Sequence, residues 1–328
     1  MTEVKRHVVS AEEAGMRLDR WFRVHFPQVT FAYLNKLTRT GQVRVAGARA
    51  KTNTRIEAEQ EIRVPPLAFD KRPADTPKAD VKPLTVQERR LFDSMVMHED
   101  RDLYVLNKPS GFAVQGGTKT HQHLDGLLMG LGVELGERPL LVHRLDRDTS
   151  GVIVIAKRRA VAAALGKLFA TRGVKKTYWA IVQGVPKPPQ GRVEVALIKA
   201  KGPDGDRMRA SAEGEEDDEQ RAVTHYTVLD KASTIASWVS LKPVTGRQHQ
   251  LRAHMAHIGA PIMGDEKYGG DAGMPEGMPK RLHLHARRIV FPHPREGVID
   301  ISAPLPEHML TSFALFGFDA QRFESGEG

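Results

Sequence analysis

The sequence predicts an α+β protein with two domains, a small basic one at the N-terminus and a larger one that combines many strands with a few helices. The chain has 328 residues, about the length of two domains, and 40% of them are hydrophobic, which is enough for a buried core. Short apolar runs typical of strands recur from residue 103 onward. Between the two parts, residues 67–90 are rich in Pro and charges and predict a linker.

The N-terminal domain, residues 1–66, is predicted to contain two short helices followed by strands. The first helix is indicated by four residues spaced along one face: Leu18, Trp21, Phe22 and His25. The second covers residues 32–40, with Leu34 and Leu37 facing inward. Polar and apolar residues alternate at 42–45 and 61–64, which is the pattern of half-buried strands.

Positive charge is concentrated in this N-terminal domain. Between Gly15 and Ile56, nine Lys or Arg residues stand against one acid, Asp19. Such a surface can be merely solvated, but a face of one sign and this density typically meets phosphate, which attracts cations regardless of sequence. The net charge of the whole chain, +9, likewise favours an anionic partner, either nucleic acid or an acidic membrane surface.

The larger domain, residues 91–318, is predicted from strand-like runs at 103–106, 152–156, 178–182, 223–229 and 238–241. Residues 203–220 are acidic and nearly free of apolar side chains, so we expect a mobile surface loop without a catalytic role. We expect a frayed tail at residues 319–328.

The composition excludes several classes of chemistry. The chain has no Cys, so disulfides, thiolate catalysis and Cys-ligated zinc are ruled out. The first ten residues lack the apolar segment of a signal peptide, and no run approaches the roughly 18 apolar residues of a membrane span. We therefore expect a cytoplasmic protein.

The segment His143-Arg144-Leu145-Asp146-Arg147-Asp148-Thr149-Ser150-Gly151 is the most informative part of the sequence. It places a His, two Arg and two Asp directly before the apolar run at 152–156, at the edge of a predicted strand. A charged turn is the plain alternative. The density of charges and hydroxyls favours a functional site.

Three further segments concentrate polar residues, and each has a structural alternative. Lys175 to Ala180 puts a tyrosine beside cations at a strand start, which suits stacking on a base near phosphates, or an ordinary half-buried tyrosine. Thr245 to His254 places donors at the start of a predicted helix, where anions bind. Leu282 to Ala286 alternates two histidines on one strand face, which predicts hydrogen-bonded structural histidines.

Two other kinds of site are disfavoured. His249, His254 and His257 do not share one helix face and lack an intervening Glu, so we expect no metal. Asp146 and Asp148 resemble the paired aspartates of haloacid-dehalogenase-like phosphatases, which use an Asp nucleophile with magnesium. That family needs an apolar strand directly ahead of the first Asp, whereas here the apolar run follows the motif.

Taken together, these segments resemble the RluA-type pseudouridine synthases, in particular those of the bacterial large-subunit ribosomal RNA branch. The resemblance covers nearly the whole chain and rests on five motifs in order: Leu106 to Gly111, His143 to Gly151, Lys176 to Ala180, Thr245 to Asp265, and Leu284 to Ala286. Residues 15–65 are similar to an S4 RNA-binding module. The resemblance implies a catalytic domain built on a large mixed, mainly antiparallel sheet flanked by helices and loops.

The resemblance also implies a reaction and the residues that perform it. A uridine in RNA is detached at its N-glycosidic bond, rotated and rejoined through carbon, without cofactor or metal. Asp146 is the implied catalytic carboxylate, which either adds to C6 of uracil or attacks C1′ of the ribose. A carboxylate buried beneath a base needs a cation to remain ionised, and this role goes to Arg252. Tyr178 packs on the target ring and takes part in removing the proton from C5.

RNA is the implied partner, with large-subunit ribosomal RNA as substrate and transfer RNA as the alternative, and we expect a monomer that needs no membrane. Arg144 is implied to fill the space that the flipped base leaves. The residues expected to contact RNA are Arg144, Arg147, Lys108, Lys176, Arg247, His249, Arg17, Arg20, Lys36, Arg39 and Arg44. We expect Asp148, Thr149 and Ser150 to hold the loop through side-chain to backbone hydrogen bonds. The competing interpretation is a non-catalytic RNA-binding or ribosome-assembly protein of the same fold.

Overall fold

The computed structural model describes residues 4–67, 82–116, 122–171, 173–202, 205–211 and 219–323. The chain divides into two units, Met1–Asp80 and Val81–Gly328. The boundary between them falls inside the predicted linker. In the described part of the chain, no helix is both long enough and apolar enough to cross a membrane.

The N-terminal unit contains two helices against a small sheet. In chain order its elements are β1 (Lys5–Val8), a 3-10 helix (Ala11–Glu13), α1 (Leu18–His25), α2 (Phe31–Arg39), β2 (Arg44–Val45), β3 (Ala48–Arg49) and β4 (Glu61–Val64). The strands pair antiparallel in the order β1-β4-β2-β3. Leu18, Trp21 and Phe22 are buried in its core with Leu34 and Leu37, so both predicted helices are confirmed. His25, predicted on the same face, is exposed and stacks on Trp21 at 4.3 Å.

The C-terminal unit is built on one large sheet. Its elements begin with α3 (Val86–Met95), β5 (Val96–Glu99), β6 (Leu103–Lys108), α4 (Leu124–Leu135), β7 (Leu140–Leu141), β8 (Ser150–Ala156) and α5 (Arg159–Ala170). They continue with β9 (Lys175–Gln183), β10 (Gln190–Gly202), β11 (Gly205–Ala210), β12 (Gln220–Ala232), β13 (Ala236–Pro243), α6 (Gln250–His257), β14 (Leu284–Pro292), β15 (Val298–Ser302), α7 (Glu307–Phe316) and a 3-10 helix (Ala320–Phe323).

The strand order is β11-β10-β12-β13-β9-β14-β8-β6-β5, with β15 paired to β14 and β7 paired to β8. Among the named strands of this sheet, β14 and β8 pair in parallel and the other pairs are antiparallel. The predicted α+β class with a mainly antiparallel sheet is therefore confirmed. The strands expected from apolar runs are confirmed as β6, β8, β9, β12 and β13.

Strand β8 is apolar throughout because both of its faces are covered. Ile153 and Ile155 pack with α3 and α4, while Val152 and Val154 pack with α5. All seven residues of the strand are buried. The apolar run that follows the His143 to Gly151 segment is thus part of a central strand. This strand fixes the position of the polar loop before it.

The junction of β8 with β14 is tight. Gly151 has φ +106°, and a Cβ atom there would lie 2.2 Å from the carbonyl oxygen of Ala286. Only glycine fits this approach, which is too close for any side chain. Ala286 in turn lies opposite Tyr178 on β9. The junction therefore connects the loop of Asp146 to the strand of Tyr178.

Three expectations about irregular segments were wrong. The predicted linker ends early, because Thr85 and Glu88 form a capping box and α3 begins at Val86. Part of the predicted acidic loop is a strand instead. Residues 205–210 form β11, whose backbone pairs with β10 regardless of the charge of its side chains. The predicted frayed tail includes the last 3-10 helix, where Phe323 packs at 5.1 Å from Trp238. The remaining parts of these predictions, residues 68–81, 203–204, 212–218 and 324–328, lie outside the described residues.

Candidate active site

A cavity of about 540 Å³ forms in the C-terminal unit where the polar segments meet. Its walls come from the loop before β8, the start of β9, and the segment from Pro243 through the start of α6. The three residues predicted to be catalytic, Asp146, Tyr178 and Arg252, all line it. The structure thus brings together side chains that are up to 106 positions apart, from Asp146 to Arg252.

Asp146 lies in the loop between β7 and β8, and its side chain is 21% exposed. Two donors face its Oδ2 atom, Nη1 of Arg252 at 3.8 Å and Nε2 of His249 at 3.9 Å. Both separations exceed hydrogen-bond length, so the attraction acts between charges and dipoles. The carboxylate is held beside a cation without being bound directly to it.

Arg252 is anchored by a different carboxylate. Its Nε donates to Oδ2 of Asp265 at 2.7 Å, and its Nη2 donates to Oδ1 of Asp265 at 2.6 Å. Burial alone would lower the pKa of Arg252, but the hydrogen bonds and charge of Asp265 raise it above its ordinary value. The guanidinium also lies 5.1 Å from the centre of the Tyr268 ring. Asp265 therefore fixes the cation that faces Asp146.

His249, predicted to contact RNA, is mostly buried beside Asp146. It begins α6 with a left-handed backbone, φ +50°. Tyr268 accepts the backbone N–H of Met208 at 2.8 Å, and its hydroxyl pairs with Nδ1 of His249 at 3.1 Å. Burial lowers the pKa of His249, which favours the neutral ring, and its Nε2 is the atom that faces Asp146. From this position His249 can reach only a nucleotide inside the cavity.

Tyr178 lies on β9 and faces the cavity among apolar side chains. Burial and the negative charge of Asp146 raise the pKa of Tyr178 well above its ordinary value. The phenol is therefore protonated at neutral pH. It presents an aromatic ring and one hydroxyl to whatever occupies the cavity.

Lys108 does not contact phosphate as predicted, because it is fully buried. Its Nζ donates to the carbonyl oxygens of Pro109 at 2.9 Å, Phe112 at 2.8 Å and Arg147 at 2.9 Å. Burial lowers the pKa of Lys108 to about 7, against the charges of Asp148 and Asp146. The role of Lys108 is to tie the turn after β6 to the loop of Asp146.

The same turn supplies most of the contacts that hold the loop. Ser110 donates to the carbonyl of Asp148 at 2.9 Å, the N–H of Gly111 donates to the carbonyl of Arg147 at 3.0 Å, and Nε of Arg147 donates back to Gly111 at 3.1 Å. We expected side chains of Asp148, Thr149 and Ser150 to hold the loop. Donors from residues 108–111 hold it instead. Ser150 binds a side chain instead, Nδ1 of His285 at 2.9 Å.

His143 has a structural role at the start of the loop. Its Nε2 accepts the N–H of Val154 at 2.9 Å, and its ring stacks on Phe169 at 4.5 Å. Burial and the nearby Lys176 lower the pKa of His143 to about 3. A neutral imidazole that accepts a backbone hydrogen bond fixes where the loop leaves the sheet.

Four cations line the mouth and walls of the cavity: Arg144, Lys176, Arg247 and the anchored Arg252. Arg144 and Arg247 are exposed, and Nε of Arg247 donates to the carbonyl of Arg221 at 3.2 Å. Lys176 is half-buried, and burial lowers its pKa. Arg147 points outward with 73% of its side chain exposed. The cavity therefore offers positive charge around a carboxylate.

The two histidines of the Leu282 to Ala286 segment are structural, as predicted. His283 interacts with the carbonyl of Met263 at 3.3 Å and with Oγ of Ser312 at 2.7 Å. His285 pairs with Ser150, and burial lowers its pKa to about 3. His254, one of the three histidines weighed as metal ligands, is paired with Oγ1 of Thr224 at 3.0 Å.

In the N-terminal unit, the five basic residues expected to contact RNA are all exposed: Arg17, Arg20, Lys36, Arg39 and Arg44. Arg17 is bound to Asp19 through two hydrogen bonds, at 3.1 and 2.6 Å. Arg44 donates to the carbonyl of Gly47 at 3.0 Å. These contacts hold two of the five side chains in place on the surface.

Sequence reasoning missed the roles of Asp265 and Tyr268. Asp265 stood at the end of a matched motif without an assigned role, and nothing in its spacing indicates a partner 13 residues earlier. A buried arginine needs a carboxylate partner, which was the available signal. Tyr268 had no signal in the sequence.

Comparison with known proteins gives a consistent result. The model of the family described as RNA pseudouridylate synthase matches residues 102–257, which include the loop of Asp146, Tyr178 and Arg252. The ribosomal large subunit pseudouridine synthase C of Salmonella typhimurium is 36% identical over 92% of this chain and 93% of its own length. Its namesake from Escherichia coli K12 is 36% identical over 93% of this chain and 94% of its own.

A solved structure is also similar. Human RNA pseudouridylate synthase domain containing 4 superposes with a TM-score of 0.58 at 30% sequence identity. The match covers 71% of this chain and 98% of the human one. The similarity thus extends from sequence to fold.

Proposed function

This chain belongs to the RNA pseudouridylate synthase family, and from that membership we propose that it isomerises specific uridines of large-subunit ribosomal RNA to pseudouridine. The observation that carries the proposal is a single carboxylate, Asp146, held 3.8 Å from Arg252 in a cavity that Tyr178 also lines. The two bacterial relatives named for the large ribosomal subunit support the choice of RNA. Transfer RNA is the alternative substrate.

The proposed reaction balances without a further reactant. The bond between N1 of uracil and C1′ of ribose breaks, the ring turns, and C5 bonds to C1′. One proton leaves C5 and one is gained at N1, so product and substrate have the same atoms. The residues of the cavity need only supply a nucleophile, hold charge and move protons.

Asp146 is the proposed nucleophile. Its carboxylate adds to C6 of uracil on one route and attacks C1′ on the other, and both require an ionised group that later leaves. The 3.8 Å gap to Arg252 suits both, because the oxygen atoms are not occupied by a direct hydrogen bond to the cation. The phosphatase alternative has no support from the family match, which is to RNA pseudouridylate synthases over residues 102–257.

Arg252 and His249 are proposed to stabilise the carboxylate from two sides. Arg252 supplies a full positive charge whose direction is set by Asp265. His249 supplies a neutral N–H that is directed by Tyr268. Donors that are held in place before the reaction stabilise charge without reorganising during it.

Tyr178 is proposed to pack on the target ring and to relay the C5 proton. Its raised pKa means that the phenol starts protonated, so it cannot accept a proton until it has lost its own. Once the new carbon–carbon bond frees Asp146, the phenol proton can pass to that carboxylate while the phenol oxygen takes the proton from C5. Asp146 and Tyr178 line the same cavity, as this relay requires.

Replacing Tyr178 separates these two roles. We expect Tyr178→Phe to keep RNA affinity within about threefold, because the ring remains, and to lower turnover by about 10² to 10⁴, the usual contribution of a proton-transfer group. Tyr178→Leu should in addition weaken RNA binding by about 1 to 3 kcal/mol, the value of one base stack. Single-turnover rates and RNA dissociation constants measure both effects. Full turnover by Tyr178→Phe would show that the hydroxyl takes no part.

The cations around the cavity are proposed to receive the RNA chain. A target base must leave its stack to reach Asp146, which costs roughly a few kcal/mol. Arg144 is exposed at the cavity wall and is proposed to fill the space that the base leaves. Arg147, Lys176 and Arg247 are proposed to contact phosphates.

The N-terminal unit is proposed to be an S4-like RNA-binding module. Its support is the pattern of two helices followed by strands together with five exposed basic side chains. Phosphate neutralisation by such residues adds affinity without base specificity. We further propose that the protein acts as a monomer in the cytoplasm and that its chemistry needs neither metal nor cofactor.

The substrate assignment is tested by mapping pseudouridines in ribosomal and transfer RNA from cells with and without this gene. We expect defined sites in large-subunit RNA to lose the modification and to regain it when the gene is restored. The transfer RNA map serves as the internal control. Identical maps in both RNA classes would contradict the proposed activity, and losses confined to transfer RNA would replace the substrate.

A further inference from the structure

A second cavity, of about 510 Å³, lies on the face of the sheet opposite Tyr178. Along β9, Tyr178 faces the first cavity, whereas Thr177 and Trp179 face the second. Neighbouring strands complete its wall through cross-strand pairs: Ser240 lies opposite Trp179, and Arg288 lies opposite both Thr177 and Ser302. The cavity is therefore framed by rigid strands.

The second cavity combines an apolar floor with a cationic rim. The apolar lining includes Trp179, Leu229, Val290 and Phe323. Five cations line it as well, Lys175, Lys176, Lys242, Arg287 and Arg288, against one carboxylate, Asp300. Apolar surface next to positive charge suits a ligand with a planar ring and a phosphate.

Both arginines of the second cavity, Arg287 and Arg288, are oriented by their contacts. Arg288 donates to both oxygens of Asp300, each at 2.6 Å. Arg287 stacks over Trp179, with its Cζ 4.6 Å from the ring centre, and donates to the carbonyl of Ala303. Lys175 and Lys242 are exposed at the ends of their strands. Their exposure lets a phosphate reach both lysines from solvent.

The two cavities meet at the edge formed by strand ends, where β9 begins and β13 ends. Four residues line both of them, Val174, Lys176, Pro243 and Val244. An extended chain that leaves the first cavity can pass over this edge and enter the second. Cationic side chains stand on both sides of the edge, Arg247 in the first cavity and Lys242 in the second.

We propose that the second cavity binds a nucleotide of the same RNA strand that flanks the target uridine, with its base on the apolar floor and its phosphate between Lys175 and Lys242. The proposal rests on the proposed function, because it takes the first cavity as the site of the target. It makes the second cavity a determinant of which single-stranded segments are accepted.

The test is the double variant Lys175→Glu with Lys242→Glu. We expect it to raise KM for a substrate RNA with unpaired flanking nucleotides about tenfold or more, because it replaces two phosphate-binding cations by repelling charges. Lys231→Glu is the matched control, an exposed lysine on β12 that lines neither cavity, and its KM should stay within about threefold of the unaltered protein. A substrate trimmed of the flanking nucleotides should lose the difference between variant and control.

The outcomes separate the two levels of the proposal. If the unaltered protein forms no pseudouridine, the proposed function fails, and the affinity of the same variants for a single-stranded oligonucleotide still tests the cavity. Equal affinity or equal KM in the double variant and the control overturns the cavity assignment. The binding of uridine monophosphate is measured in addition. If the double variant loses affinity for uridine monophosphate but keeps its affinity for RNA, the cavity binds a free nucleotide and the proposal is overturned.

Discussion

Asp146→Asn is expected to abolish pseudouridine formation, by at least about 10⁴-fold, while RNA binding persists. Losing a nucleophile typically costs this much or more, and the amide cannot bond to uracil or ribose and leave again. Its shape is nearly unchanged, so the cavity and its cations remain. The measurement is the release of isotopically labelled hydrogen from C5 of uridine, alongside the RNA dissociation constant.

Asp148→Asn is the matched control, because it removes a carboxylate two positions away in the same loop. The Asp148 side chain is 54% exposed and lies 3.9 Å from Arg147. We expect its activity to stay within about threefold of the unaltered protein, since exposed ion pairs contribute little. Product from Asp146→Asn would remove the nucleophile assignment. No product from the unaltered protein, with RNA binding intact, would favour the non-catalytic assembly protein.

Asp265→Asn is expected to lower activity strongly, although less than Asp146→Asn, even though Asp265 is not proposed to touch the substrate. Asn has one oxygen acceptor where Asp265 has two, so the buried cation loses one of its two anchoring hydrogen bonds. The guanidinium can then bind Asp146 directly and occupy the nucleophile. We expect a fall in kcat of about 100-fold, the usual cost of a misplaced group in an active site.

The same variant should also lower the free energy of unfolding by about 3 kcal/mol, because it breaks a buried ion pair on one side. Asp93→Asn is the matched control. Asp93 accepts two hydrogen bonds from Nε of Arg89, at 3.0 and 3.2 Å, but their side chains are 54% and 45% exposed. We expect a change below about 1 kcal/mol there. An Asp265→Asn protein that is destabilised yet has normal kcat would show that the anchor is structural only.

The parts of the fold that could be predicted from sequence are those whose cause is local. The short helix at Leu18 and the buried strand at Val152 to Ala156 follow from the spacing of apolar residues, and both are present. The strand at 205–210 was not predictable in this way, since its charged residues pair with β10 through the backbone. Backbone hydrogen bonds are indifferent to side-chain charge.

In the candidate site, too, the predictable features are those with a local cause. Asp146 could be found because its neighbours along the chain are unusual. Lys108 was misassigned because its burial depends on a carbonyl at Arg147, 39 residues away, and a lysine beside a glycine turn reads as exposed. The proposed donor role of His249 depends on Tyr268 and Met208, which only the folded chain brings near. Contacts of this kind leave no periodic pattern in the sequence.

The parallel pairing of β8 with β14 divides the large sheet into two antiparallel blocks, and the reacting groups come from different blocks. Asp146 enters with β8, whereas Tyr178 and Arg252 belong to the block that contains β9 and β13. The blocks are joined at backbone level by two residue pairs, His285 with Ser150 and Ala286 with Gly151. On the proposed function, a uridine bound in the cavity contacts both blocks and bridges the junction between them, beside the 3.8 Å separation of Asp146 and Arg252.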